Sequence, residues 1–224
     1  MTVLASQKLR IRKLGVVEYL PTWEKMKQFV DARTESTIDE YWVLQHPAVF
    51  TLGQAADEGH LLATGDIPVI QTDRGGQVTY HGPGQLVIYV MVDVKRNRMG
   101  PRTLVSALET SLVQLLSEYG ISAQTRRQAP GVYVGEKKIA SLGLRIRRGY
   151  SFHGLSLNVD MDLEPFTRIN TCGYEDLEVT RLTDFGVTDN IDEVGEKLCT
   201  VMSKEFGYVE VSTDALLAGS PESK

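Results

Sequence analysis

The sequence predicts an α+β fold, a mixed and mostly antiparallel sheet flanked by helices. Residues from Gly131 to Val159 alternate apolar and polar over successive segments, which is the mark of a meander of half-buried strands. Further β-branched runs cluster in the first hundred residues. Only about three stretches carry helical spacing, too few for helices to alternate with strands as in a doubly wound fold.

In chain order, Lys8 to Lys13 reads as an opening strand, and Pro21 to Val30 as a helix with proline at its start. Trp23, Met26, Phe29 and Val30 supply the buried face of that helix. Tyr41 to Gln45 and Val49 to Leu52 are strands about the His46-Pro47 turn, and Pro68 to Thr72 is another. Leu86 to Val94 is β-branched, aromatic and almost uncharged, as expected of a strand buried on both faces. Arg102 to Tyr119 is the clearest helix, with Leu104, Leu108, Leu112, Leu115 and Leu116 on one stripe and Gly120 as its stop. The meander turns at Gly135-Glu136 and Arg148-Gly149. Ile191 to Phe206 forms a last helix, and Tyr208 to Val211 a final strand. The expected organisation is one catalytic domain over residues 1–212, with a small C-terminal lobe over about 184–212 and a flexible polar tail from Thr213 to Lys224.

At 224 residues the chain can bury a sizeable core. No run approaches the ~20 apolar residues of a membrane span, and the N-terminus lacks the apolar stretch of a signal peptide. Two cysteines in such a length do not make a disulfide framework, so a cytoplasmic protein is expected. The net charge of −5 argues against nucleic acid as a partner. The charge is uneven, however. Between Arg126 and Arg148 seven cations stand against one acid, Glu136, a local +6 that reads as a docking patch for an acidic partner or as the solvated face of a hairpin.

The chemistry starts at Asp73 to Val90, where four glycines and a proline interrupt two strands. Glycine at that density lets backbone approach a ligand closely. A phosphate cradle does not fit, because GxxxxGK[ST] is absent and strand, not helix, follows the glycines. The four histidines lack paired ligand spacing and neither cysteine sits in a CxxC, so no metal is expected. Cys199 lies in the last helix as a small core residue, whereas Cys172 sits in a polar, turn-like segment that suits a nucleophile. A thiol needs a nearby cation or base to react at neutral pH, and His81, His153 and Lys138 are the candidates. Simple alternation puts Lys137 on one face with Ile139 and Lys138 on the other with Ala140 and Leu142, so that one of the two lysines points inward or both are surface charge.

Four segments together, Arg74 to Gln85, Lys138 to Gly143, Ser151 to Asn158 and Ile169 to Tyr174, closely resemble the octanoyl-carrier-protein:protein octanoyltransferases of lipoate biosynthesis. The resemblance runs in order from about His46 to Arg181, with one departure, Thr171 where the family commonly has proline. It implies the α+β catalytic-domain fold of biotin and lipoate protein ligases. It also implies Cys172 as acyl-accepting nucleophile and Lys138 as the cation that activates it. Arg74, Gly75, Gly76, Gln77, Val78, Thr79, Tyr80 and His81 would line the acyl site with Ser141, Leu142, Gly143, Gly154, Leu155 and Ser156, and His153 would support it. The implied donor is octanoyl-acyl carrier protein. The implied acceptors are lipoyl domains of 2-oxoacid dehydrogenase complexes and the glycine cleavage H protein. Neither ATP nor a metal is implied, since the donor is already a thioester. A lipoate or biotin ligase, an enzyme moving octanoyl groups between lipoyl-type proteins, and an acyl-binding module are the alternative readings.

Overall fold

The computed structural model describes residues 8–214, apart from 128, 175 and 176. Its middle is the strand that sequence reads as buried on both faces. This strand, β6 (Gln85–Met91), has every residue buried. Leu86, Ile88 and Val90 point into one apolar cluster, while Val87, Tyr89 and Met91 point into another on the opposite face.

The sheet grows outward from β6 on both sides. Towards one edge come β2 (Asp39–Gln45), β1 (Lys8–Val16) and β11 (Glu210–Asp214). Towards the other come β10 (Tyr150–Asn158), β9 (Lys137–Arg147), β8 (Gly131–Val134) and β7 (Gln124–Thr125). β1 pairs parallel with both β2 and β11; the remaining neighbours are antiparallel, so this eight-stranded sheet is mixed and mostly antiparallel. The meander from Gly131 to Val159 is β8, β9 and β10, with turns where Gly135 and Gly149 take positive φ. A second, three-stranded sheet joins β3 (Val49–Leu52) to β4 (Val69–Gln71) and β5 (Val78–His81). Sequence pattern does not separate it from the first, because both sheets have fully buried strands.

Helices cover both faces. α1 (Tyr19–Ala32) lays Met26 and Val30 against Val87, Tyr89 and Met91. It begins two residues before the expected Pro21, which falls inside the first turn. α2 (Pro101–Glu118) and α3 (Ile191–Glu205) share the other face, packing their leucines and valines on Leu86, Ile88 and Val90. α3 is held at its start by Asn190 and Glu193, each of which bonds the other's backbone N–H. β11 starts two residues later than expected and continues to Asp214, so Thr213 and Asp214 are strand and not tail. The rest of the expected tail lies outside the described residues.

The far end of β2 is tied by one buried carboxylate. Asp39 accepts from Arg33 Nη2 (2.5 Å), Arg96 Nη2 (2.5 Å), Asn97 Nδ2 (2.8 Å), the Tyr208 hydroxyl (2.8 Å) and the Asp93 amide (2.9 Å). These donors come from the end of α1, the loop after β6 and the approach to β11. Asp39→Ala is expected to cost about 3–5 kcal/mol, since it strands the buried Arg33 charge. Urea denaturation monitored by circular dichroism checks this.

Candidate active site

Lys138 reaches its place through an irregularity. Across β8 and β9, Val132 pairs with Ala140 but Tyr133 pairs with Lys138, which leaves Ile139 as an extra residue in β9. Such a bulge re-aims the side chains beyond it. Ile139 and Ala140 stay with the α2 face, and Lys138 turns to the opposite face, away from Ala140 and Leu142. Of the two lysines it is Lys138 that points inward, on the face opposite the one simple alternation gives it. Lys138 is only 2% exposed, whereas Lys137 is at the surface and pairs with Glu178.

The ammonium of Lys138 donates to Cys172 Sγ at 2.9 Å and to the Pro130 carbonyl at 3.0 Å, with the Tyr133 ring beside it. Gly131 makes the space. A Cβ there would lie 2.5 Å from Lys138 Cε, and its φ of +146° also favours glycine. Among the described residues no carboxylate pairs with Lys138.

Cys172 sits in a short 3-10 turn, Thr171–Gly173, and has φ +56° and ψ +19°, a conformation costly for a residue with a Cβ. Strain of this kind collects where geometry serves chemistry. The amides of Gly173 and Tyr174 are bonded to Asn170 and Thr171 carbonyls, while among the described residues the Cys172 amide has no acceptor. Cys199 is buried inside α3, and burial pushes its thiol up to about 12.

The dyad opens on a cavity of ≈ 540 Å³. Arg74, Gly75, Gly76, Gln77, Val78, Thr79 and His81 line one side, and Ser141, Leu142, Gly143, His153, Gly154, Leu155 and Ser156 another, with Cys172 among them. Tyr80 is the exception: it packs on Phe50 and Phe166 in the core of the small sheet, because it alternates with His81 and Thr79 along β5. Sequence reading misses Tyr19, Val87 and Tyr89 in the lining, which look like core residues in the chain and are buried as such. The cavity also follows β9 beyond its pairing with β8, past Leu144 and Ile146 to Pro101 and Val105 at the start of α2.

Arg74 is the brace of the wall. It is 7% exposed and donates to Thr51 Oγ1 and O, Gly75 O and Gln77 O, so it ties the glycine loop to β3. Gly75 in turn donates to the Leu144 carbonyl on the β9 edge, and Gly143 lets the loop settle, since a Cβ there would meet Arg74 Cδ and Gly75 O at 3.1 Å.

His46, His81 and His153 bond to groups other than the sulfur. His81 bonds Gln85 Oε1 through Nδ1 at 2.7 Å, and burial lowers its pKa to about 3. His46 bonds Val17 O and the Tyr89 hydroxyl, and burial lowers it to about 4. His153 has φ +59°, and its Nε2 bonds Asp73 Oδ1, which also accepts from Trp23 Nε1. Asp73 stands beside the recognised motif and is a further positioning group that sequence reading leaves unassigned.

The basic segment does not form one face. Arg126 pairs with Glu136 and Lys137 with Glu178 at one end of β9, and Lys138 is buried. Arg145, Arg147 and Arg148 lie at the other end, where Arg145 lines the cavity and the other two touch Asp31. An eleven-residue strand separates the groups. Among the described residues no cluster of three His, Cys, Asp or Glu suits a metal ion, and no helix is long and apolar enough to cross a membrane.

With a buried lysine bonded to a half-buried cysteine at the mouth of a cavity on this sheet, the chain belongs to the lipoyl protein ligase A/B catalytic domain family, whose model matches residues 18–203. Within that family it is 53% identical to an octanoyltransferase of Shewanella frigidimarina, over 93% of this chain and 96% of the relative. It is 55% identical to an octanoyltransferase of Azotobacter vinelandii, over 95% and 97%. In three dimensions it is similar to a lipoate-protein ligase A bound with ATP, with a TM-score of 0.78 at 17% identity over 94% of this chain and 90% of the other. At that identity the likeness is one of fold.

Proposed function

We propose that this chain is an octanoyltransferase that carries the acyl group on Cys172. The observation that carries the proposal is the 2.9 Å contact between Lys138 Nζ and Cys172 Sγ at the cavity mouth; relatives named octanoyltransferase at 53–60% identity support it. In the first step the Cys172 thiolate, stabilised by the Lys138 ammonium, attacks the carbonyl of an octanoyl thioester. The new C–S bond forms as the donor's C–S bond breaks, and the leaving donor thiolate takes the proton of the Lys138 ammonium, which becomes a neutral amine. The Cys172 amide, which has no acceptor among the described residues, donates to the developing oxyanion in this reading. In the second step the neutral ε-amine of an acceptor lysine attacks the acyl-enzyme. Lys138, now neutral, takes the amine's proton as the C–N bond forms and the acyl C–S bond to Cys172 breaks, which restores the thiolate and the ammonium. Because the donor is already activated, the reaction needs neither ATP nor a metal. The acceptor is a lipoyl-type domain and the setting is the cytoplasm, which two free cysteines suit.

The test is to incubate the protein with octanoyl-acyl carrier protein, without ATP, and weigh it intact. One octanoyl adduct is expected; none, or one that needs ATP, favours a ligase of the same fold and sinks the proposal.

The donor carrier is acidic in this reading, and Arg145 lines the cavity with Arg147 and Arg148 exposed just beyond it in the chain. Reversing all three to Glu is expected to raise the donor's KM about tenfold at low salt, with little change in kcat, and to flatten its dependence on ionic strength. Steady-state kinetics over a salt series reads this, and an unchanged KM removes these residues from the docking face.

A further inference from the structure

One register row crosses the face of the sheet that carries the dyad. Gly131 on β8 pairs with Ser141 on β9, Ser141 with Ser156 on β10, Ser156 with Val87 on β6, and Val87 with Leu44 on β2. Residues so paired point to the same face. The head group of Lys138 lies over Gly131 at the start of the row, bonded to Cys172. Side-chain size then rises from none, through two small hydroxyls, to valine and leucine. Ser141, Ser156 and Val87 all line the cavity, whereas Leu44 is buried behind Val87 and does not. The small residues thus leave a trench that starts at the nucleophile and ends at β6.

We propose that Val87 is the end stop that sets acyl-chain length. This rests on the acyl-transfer reading above and adds the residue that decides which acyl group is taken. From Gly131, over which the dyad lies, to Val87 are three strand spacings, roughly 14 Å. An extended eight-carbon acyl chain, with zigzag C–C bonds of about 1.5 Å, covers about 9 Å of this, and the bond to the Cys172 sulfur and a contact of roughly 4 Å at the terminal methyl take up the rest. The neighbouring row ends at the same strand, where Gly143 and Gly154 lead to Tyr89. Its hydroxyl is fixed by His46 Nε2 at 2.7 Å, so that half of the end wall is braced by a polar contact. Val87 is held only by apolar packing with α1 and its neighbours, and its two methyl groups are what the chain terminus meets.

The experiment uses the full-length protein and an equimolar mixture of hexanoyl, octanoyl and decanoyl pantetheine. Wild type, Val87→Ala and Val87→Ile are each quenched early and the acyl adducts weighed by intact-mass spectrometry. Val87→Ala, which removes two methyl groups, is expected to raise the decanoyl-to-octanoyl ratio at least roughly tenfold, and Val87→Ile, which adds one methylene, to raise the hexanoyl-to-octanoyl ratio roughly tenfold, since each carbon of mismatch is worth about tenfold or more. The variants act in opposite directions, so poor folding of one leaves the other decisive. Ratios within twofold of wild type, or shifts in the reverse direction, overturn the assignment of Val87. A wild-type protein that takes no acyl group overturns the transfer reading itself, and the two failures are distinguishable.

Discussion

Cys172→Ser is expected to lower the rate of octanoyl transfer by at least about 10³-fold and to abolish the octanoyl adduct, whereas Cys199→Ser retains both. A serine hydroxyl at this site lacks the base it needs, and general-base assistance alone is worth roughly 10²–10⁴-fold. Lys138 separates into two roles. Lys138→Met removes the charge that holds the thiolate and is expected to slow formation of the acyl-enzyme. Lys138→Arg keeps a cation but cannot pass a proton at neutral pH. The arginine variant is therefore expected to form the adduct and then to stall, because the acceptor amine has no route for its proton. Stopped-time intact-mass measurements, with the acceptor domain added in a second step, resolve the two stages. Turnover of Lys138→Arg near the wild-type rate would leave Lys138 an electrostatic role only.

The second large effect is on stability. His46 and His81 are held neutral by burial, with pKa values lowered from 6.5 to about 4 and about 3. In the unfolded chain both protonate as pH falls below about 6.5. The unfolded state then binds more protons than the folded state, so stability declines as pH falls towards the folded values. Each group contributes about 1.4 kcal/mol per pH unit within that window, and the pair roughly 3. His153 is shifted the same way by burial, against the opposing pull of Asp73. By pH 4.5 the pair has removed about 6 kcal/mol, so a protein at the lower end of the ordinary range of about 5–15 kcal/mol is expected to approach unfolding there. Urea denaturation at pH 7, 6 and 5 measures the slope, and His81→Gln, which keeps a side-chain amide near Gln85, is expected to flatten it. A midpoint that does not move between pH 7 and 5 contradicts the assignment of neutral histidines.

Both results depend on how residues far apart in the chain meet, and here sequence and structure divide the work. Local pattern suffices for β6, where seven buried residues in a row can only be a central strand, and for α2, whose leucine stripe and stop at Gly120 are self-contained. It also suffices for the β8–β9–β10 meander, since its turns carry their own glycines. It fails at the division into two sheets and at the parallel seat of β11 on β1, because strand pairing is a choice among partners that no single segment encodes. The candidate site shows the same split. Motif resemblance singles out Cys172, Lys138 and the glycine wall, while Tyr19, Val87 and Tyr89 carry no local mark that distinguishes a cavity wall from core.

By itself the sequence determines the fold class, the family, and which cysteine and lysine stand in recognisable motifs. Only the tertiary structure decides that they meet. A single extra residue at Ile139 turns Lys138 away from the apolar face that alternation assigns it, and a strained turn thirty-four residues later brings Cys172 to 2.9 Å from its ammonium. The physical reason is that period and motif describe a segment against itself. Register, bulges and cross-strand rows describe one segment against another, and those contacts exist only once the chain has folded.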